Sequence, residues 1–286
     1  MAHGRRQEGP ARADGRRLGY RRARGRGPPA RPRLLTLPVA VVTGGSSGIG
    51  AALARLLTAR GWQCVLVARG AERLASVAGE LGAEHATCDV GDREAVDAMA
   101  AGVIARHPRV GLLVNNAGIP GRTGFLDADP DRIENVVDVN YLGGVWCLRA
   151  FLPALEAARP SHVVNVVSVA GAVSGAGTSG LYAASKHAQL AFSRSVTAEL
   201  EPRGIHVHTV LPGFAETEGF PQRDVLPRHA HRFVIEAEDV AAAIVDAVEH
   251  NRREVHVPRY YRLATLAQAV VPGLVARLGG SLSKPA

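Results

Sequence analysis

From Leu37 onward, short apolar runs alternate with longer stretches of helical period. "LPVAVVT" (37–43), "QCVLVAR" (63–69), "EHATCDV" (84–90) and "GLLVNNAG" (111–118) read as strands. Between them, "GAALARLLTARG" (50–61), "AERLASVAGEL" (71–81) and "REAVDAMAAGVIARH" (93–107) read as helices. The second half repeats the pattern, with strands at 162–169, 205–212 and 254–258 and helices at 182–200 and 237–250. The strand runs are rich in valine and leucine, as expected of strands buried on both faces. Strand and helix alternating at this rhythm predict βαβ units and a parallel sheet, and the right-handed crossover places helices on both of its faces. No linker breaks the rhythm, so residues 37–258 are expected to form one domain of the α/β class.

Residues 1–36 lie outside this pattern. The first 33 residues hold eleven arginines against Glu8 and Asp14, with many glycines and prolines and no apolar period. Such a stretch buries too little apolar surface to offset its ordering entropy, and disorder is expected. A mispredicted start, a solvated tail without a role, and a polyanion-binding or transit segment are the competing readings. The net charge of +8 comes from this stretch alone; the remainder sums to −1, so nucleic-acid binding by the folded domain is not expected. Cys64, Cys88 and Cys147 show no metal-ligand or redox spacing and read as buried thiols of a reducing compartment. No metal site is expected. With no signal-peptide pattern and no apolar run of membrane-spanning length, the expected location is cytoplasmic.

Five constellations carry candidate chemistry. "TGGSSGIG" (43–50) stands between the first strand and its helix. Bare Gly44, Gly48 and Gly50, with Ser46, Ser47 and Ile49 between them, would let a pyrophosphate approach the helix N-terminus, where free N–H groups favour negative charge. The end of the second strand holds Ala68 and Arg69, where an NAD site would offer a carboxylate to the ribose 2′-OH. A guanidinium there suits a 2′-phosphate, so NADP(H) is preferred over NAD(H). Asp89, before Val90, either reaches the adenine or caps the following helix. In "NNAG", Asn115 and Asn116 can tie strand ends together, and Gly118, after Ala117, leaves clearance for a cofactor. Finally, Tyr182 and Lys186 stand four apart on one helical face. This is one of only two lysines, with Lys284, in an arginine-rich chain. An ammonium one turn from a phenol would lower its pKa from about 10, which suits proton exchange with an alcohol. Ser168, at a strand end, would donate to a carbonyl oxygen.

TGxxxGxG at Thr43–Gly50, NNAG at Asn115–Gly118, YxxxK at Tyr182–Lys186 and the strand-end Ser168 together resemble the short-chain dehydrogenases/reductases, from Leu37 to about Pro258. The resemblance implies a doubly wound, Rossmann-type sheet of seven parallel strands in three layers. It identifies Asn140, in "VVDVNYLG", as the family's helix asparagine, which would hold a water near Lys186. It places Pro212, Gly213 and Thr217 of "LPGFAET" beside a nicotinamide. The implied catalytic set is Asn140, Ser168, Tyr182 and Lys186, with Lys186 also binding the nicotinamide ribose. A homodimer or homotetramer is implied as well. The alternative is a non-enzymatic dinucleotide sensor or partner-binding protein on the same fold.

The resemblance further implies that substrate choice lies in "GFPQRDVLPRHAHRF" (219–233), read as a short helix and lid, and in the tail 259–286. Phe214, Phe220 and Phe233 either line an apolar pocket for an alcohol or carbonyl substrate or pack locally. Leu263, Leu266, Val270, Leu274 and Leu278 form an apolar stripe, broken at Pro272, with Arg259, Arg262 and Arg277 nearby. It either packs on protein or makes a peripheral membrane contact.

Overall fold

The computed structural model describes Met1 and residues 39–121, 127–173 and 180–273. The expected disordered tail and the last part of the C-terminal stripe lie outside the described residues. Seven strands form a parallel sheet: β1 (Val39–Thr43), β2 (Gln63–Ala68), β3 (Glu84–Thr87), β4 (Leu112–Asn115), β5 (Ser161–Val166), β6 (Ile205–Pro212) and β9 (Glu254–Val257), in the order β3-β2-β1-β4-β5-β6-β9. A separate pair, β7 (Ala215–Glu216) and β8 (Ile235–Glu236), lies off the main sheet. The order reverses between β1 and β4, and a crevice opens there beyond the carboxyl ends of the strands.

Alternation within single strands explains the two helical layers. In β1, Ala40 and Val42 face one core while Val39 and Val41 face the other, and all four are fully buried. The first core takes Leu53 and Leu57 from α1 (Gly48–Thr58), Leu74 from α2 (Ala71–Leu81), and Val240 and Ile244 from α8 (Ala237–Glu249). The second takes Val96 and Val103 from α3 (Arg93–Arg106), and Phe151 and Leu155 from α5 (Gly143–Ala158). It also takes Val196 and Leu200 from α6 (Gly180–Leu200). Each fully buried leucine or phenylalanine contributes about 1.5–3 kcal/mol of transfer free energy, so both faces of the sheet are committed to the interior.

The predicted elements are present, but three strands end earlier than the apolar runs do. The runs at 84–90, 111–118 and 162–169 leave the ladder after Thr87, Asn115 and Val166, and the residues beyond form the crevice wall. One region went unread in the sequence. Helix α4 (Pro130–Val137), a π-helical turn (Asp138–Leu142) and α5 run on continuously. The signal for its start was present: Asp129 caps the helix, accepting from the backbone N–H of Arg132 at 2.6 Å, and Pro130 occupies the first turn. Helix α3 is capped by Asp92, which accepts from the N–H groups of Glu94 and Ala95 at 2.9 and 3.1 Å. That cap had been one reading of Asp89. The segment 219–233 holds the short helix α7 (Gln222–Val225) and a 3-10 turn (Arg228–Phe233), and the tail holds α9 (Tyr261–Val270).

Candidate active site

At the crevice, a cleft of about 1120 Å³ collects nearly all the candidate residues. Gly44, Ser46, Ser47, Gly48 and Ile49 line its floor. Gly44 has φ +67° and Gly48 φ +50°, the left-handed region that favours glycine. A Cβ on Gly44 would stand 2.7 Å from Asn116 Nδ2. Gly50 does not line the cleft. A Cβ there would stand 2.3 Å from the Gly44 carbonyl oxygen, so this glycine serves close packing of helix on turn rather than phosphate clearance. The N-terminus of α1 has neither a side-chain cap nor an acidic residue in its first turn, whereas α3, α4 and α8 begin with acidic caps. Its N–H groups therefore suit an anion supplied from outside the chain.

The asparagines do what their position at strand ends suggested. Asn115 donates to Asn165 Oδ1 at 2.9 Å, joining β4 to β5. Asn116 donates to the Thr43 carbonyl at 2.9 Å, joining β4 to β1. Thr43 Oγ1 in turn accepts from the N–H groups of Asn116 and Ala117 at 3.0 and 3.1 Å. This network is buried at Asn115 and Asn165 and partly buried at Asn116, and its partners fix the chain that presents Ala117 and Gly118 to the cleft. At the β2 end, Arg69 and Asp89 face each other at 3.3 Å, both about half exposed. The sequence left unread Arg73 on α2. It donates to the Ser46 carbonyl at 2.9 Å and pairs with Glu218, linking the glycine turn to the loop after β7.

At the far end of the cleft lie Ser168, Tyr182 and Lys186. Ser168 ends the run after β5. Its Oγ accepts from the Ala170 N–H at 3.1 Å, and it hydrogen-bonds Tyr182. Lys186 is buried, with Nζ donating to the Val166 carbonyl at 3.1 Å and to Gln189 Oε1 at 2.8 Å. Gln189 had not been singled out in the sequence. Burial pushes the Lys186 ammonium down to about 7. It also pushes the Tyr182 phenol up to about 12, against the downward pull of the Ser168 hydrogen bond. The expected lowering of the phenol by the lysine is thus not the outcome within the protein itself: Nζ stands 5.9 Å from the ring centroid and is turned to carbonyl oxygens.

Asn140 sits in the π-helical turn and is fully buried outside the cleft lining. Its amide accepts from the Ile119 N–H at 2.8 Å and donates to the Ile119 carbonyl and to Ser185 Oγ, each at 3.1 Å. It therefore acts on the helix of Tyr182 and Lys186 through Ser185. Pro212, Gly213 and Thr217 line the cleft, as do Phe214 and Phe220, whose ring lies 5.7 Å from that of Tyr182. Phe233 instead packs edge-on against Tyr260. Tyr261 and Ala264 of α9, in the tail expected to bear on substrate choice though not named there as wall residues, complete the wall of the cleft.

With this geometry in place, comparison with known proteins is informative. The short chain dehydrogenase family model matches residues 38–224. The chain is 38% identical over 222 residues to 1-deoxy-11-beta-hydroxypentalenate dehydrogenase of Streptomyces avermitilis, covering 74% of this chain and 82% of that protein. It is 37% identical over 190 residues to dehydrogenase/reductase SDR family member 7B of Bos taurus, covering 63% of this chain and 58% of that longer protein. A short chain dehydrogenase/reductase from Burkholderia phymatum in complex with NAD superposes with a TM-score of 0.74 at 26% identity, over 87% of this chain and 98% of that one. Other similar solved structures carry NADP or NADPH. The chain belongs to the short chain dehydrogenase family, and so to the oxidoreductases that work with a nicotinamide dinucleotide.

Proposed function

We propose that the protein is an NADP(H)-preferring oxidoreductase that interconverts an apolar alcohol and its carbonyl compound. The convergence of Ser168, Tyr182 and Lys186 on one cleft with an uncapped, glycine-lined helix N-terminus carries this reading. The residues present fit a dinucleotide. Gly44, Ser46, Ser47, Gly48 and Ile49 would hold the pyrophosphate, and Asp89 and Val90 would flank the adenine. Asn116, Ala117, Gly118, Pro212, Gly213 and Thr217 would border the nicotinamide half. Arg69 would take the 2′-phosphate, since its pairing with Asp89 is a solvent-exposed one that costs little to exchange.

A nicotinamide held by these residues would supply or accept the hydride. Tyr182 exchanges the proton with the substrate oxygen, and Ser168 donates to that same oxygen and orients it. A phenol held well above neutrality keeps its proton, the form that carbonyl reduction consumes. Lys186 would reach the nicotinamide ribose, and Asn140 acts as a positioning residue through Ser185. The apolar wall of Phe214, Phe220, Val225 and Tyr261 suits a hydrophobic substrate.

The test is Tyr182→Phe in the full chain, assayed with NADPH and a panel of hydrophobic ketones. Turnover should fall about 10²–10⁴-fold while the Kd for NADPH stays unchanged. Turnover retained in the variant would remove Tyr182 from the proton transfer. Absence of binding of either NADPH or NADH to the unaltered protein would favour the non-enzymatic reading.

A further inference from the structure

Helix α9 is turned the opposite way from a helix that packs on its own domain. Its partly buried positions are Tyr261, Thr265, Ala267 and Gln268, while Leu263, Leu266 and Val270 are 71%, 59% and 70% exposed. An amphipathic helix in water hides its apolar stripe; here the stripe is exposed, with Leu263 and Leu266 lining an open groove beside Leu190 and Arg194 of α6. The surface continues into the neighbouring segment, because Phe233 of the 3-10 turn packs on Tyr260. In α7, Val225 is 75% exposed and lines the same cleft as Tyr261 and Ala264.

Charge says what this surface meets. Residues 255–286 contain no aspartate or glutamate, but carry Arg259, Arg262, Arg277 and Lys284. Residues 226–235 contain no carboxylate either, and carry Arg228 and Arg232. Among the described residues, Arg228, Arg232, Arg259 and Arg262 make no ion pair, a state shared with Arg93, Arg109, Arg132, Arg149 and Arg159 elsewhere on the chain. The nearest carboxylates along the chain are Asp224, Glu236 and Glu254, of which Glu236 pairs with Arg223 and Glu254 with Arg194. A second copy of the chain is a poor occupant. A two-fold interface would set this face against itself, with only Asp224 in the 222–233 segment and the already paired Glu254 to answer four arginines. No helix among the described residues is long and apolar enough to cross a membrane.

We propose that α9 and the adjoining 222–233 segment dock on the surface of an anionic lipid bilayer. Leu263, Leu266 and Val270 enter the acyl boundary, and Arg228, Arg232, Arg259 and Arg262 meet headgroup phosphates. The apolar end of the cleft, walled by Val225, Tyr261 and Ala264, then lies at the lipid boundary. That an apolar substrate enters there rests on the function proposed above; the docking itself does not.

The test uses the full chain with a polarity-sensitive fluorophore on Leu266→Cys, the native cysteines being buried. A local reporter is needed because the arginine-rich first 33 residues can themselves attract anionic vesicles. The probe should shift to the blue with vesicles of phosphatidylcholine and phosphatidylglycerol, and not with phosphatidylcholine alone. Adding Leu263→Gln and Val270→Gln should abolish the shift and leave NADPH affinity unchanged. Each of Arg259→Gln and Arg262→Gln should weaken the vesicle dependence about fivefold. No shift on either vesicle, or an equal shift on both, would overturn the proposal. A shift without vesicles that grows with protein concentration, together with a doubled mass by light scattering, would overturn it in favour of a second copy. NADPH titration of the same labelled chain reads the cleft separately, so failure of docking and failure of the proposed activity are distinguishable.

Discussion

The two halves of the cleft are built by different means. The nucleotide half is set by the sheet. The glycine turn, the Thr43–Asn116 bonds and the Asn115–Asn165 bridge all hang on strands β1, β4 and β5, whose side chains are buried on both faces. The half proposed to take the substrate is set by segments that leave the sheet after Pro212, namely the 214–220 loop, α7 and α9. Its wall residues are partly exposed, and Phe214 meets Tyr261 through ring edges rather than through a ladder of backbone bonds. A parallel sheet holds its strand ends in fixed register, so it can support a recognition geometry that tolerates little movement. Loops and short helices carry fewer mutual constraints and suit the part of a site that changes with the substrate.

Substitutions can break this contrast. The largest effect is expected for Gly50→Ala, whose new methyl would stand 2.3 Å from the Gly44 carbonyl oxygen with no flexible side chain to give way. Overpacking of this kind costs about 1–3 kcal/mol, and dinucleotide affinity should fall with it. Thermal unfolding and NADPH titration of the variant report both; an unaltered pair of values would show that the turn yields. Next comes Arg69→Leu. Losing a charge-assisted contact to the 2′-phosphate should weaken NADPH about 10–100-fold. NADH should hold or gain, because Asp89, freed from Arg69, is left to accept from a ribose 2′-OH. Side-by-side titrations would expose an unchanged ratio.

Phe220→Ala sharpens the contrast from the other side. It removes a wall beside Tyr182 without touching the sheet, so KM for a hydrophobic ketone should rise several-fold while NADPH affinity holds. A parallel loss of NADPH affinity would mean that the halves are coupled. The smallest effect should come from a control remote from both. His162 is the second residue of β5, and His206 and His208 are the second and fourth of β6, away from the carboxyl ends where the cleft lies, with His162 Nδ1 2.9 Å from His208 Nε2. Burial, then the neighbouring imidazoles, hold His162 down to about 3, so the folded protein keeps it neutral while the unfolded chain takes a proton below about 6.5. The unfolded state then binds more protons between those values, and stability should fall as pH drops from about 6.5 towards 3. His162→Gln should flatten part of that slope in denaturant titrations and leave NADPH affinity at neutral pH unchanged.

Much of the nucleotide half was legible in the chain because its determinants are local. A glycine must sit where φ is positive, a strand end must carry groups that bond its neighbours, and a tyrosine and lysine four apart must share a helical face. Gly50 shows the limit of such reading. Its spacing marks it as part of the turn, but only the fold reveals that it packs on Gly44 instead of clearing a phosphate. The helix from Pro130 to Ala158 is announced in the sequence by Asp129 and Pro130, which cap and open its first turn.

The sequence by itself determined the layers, the strand ends where the site would lie and the residue types that converge there. Those follow from hydrophobic period and from backbone geometry, which act over a few residues. Tertiary structure alone decided which way the groups lean. Lys186 turns to Val166 and Gln189, Tyr182 is raised by burial instead of lowered by its lysine, and Tyr261 from the far end of the chain closes the substrate wall. Desolvation and long-range packing depend on everything that surrounds a side chain, and spacing along the chain carries no measure of that.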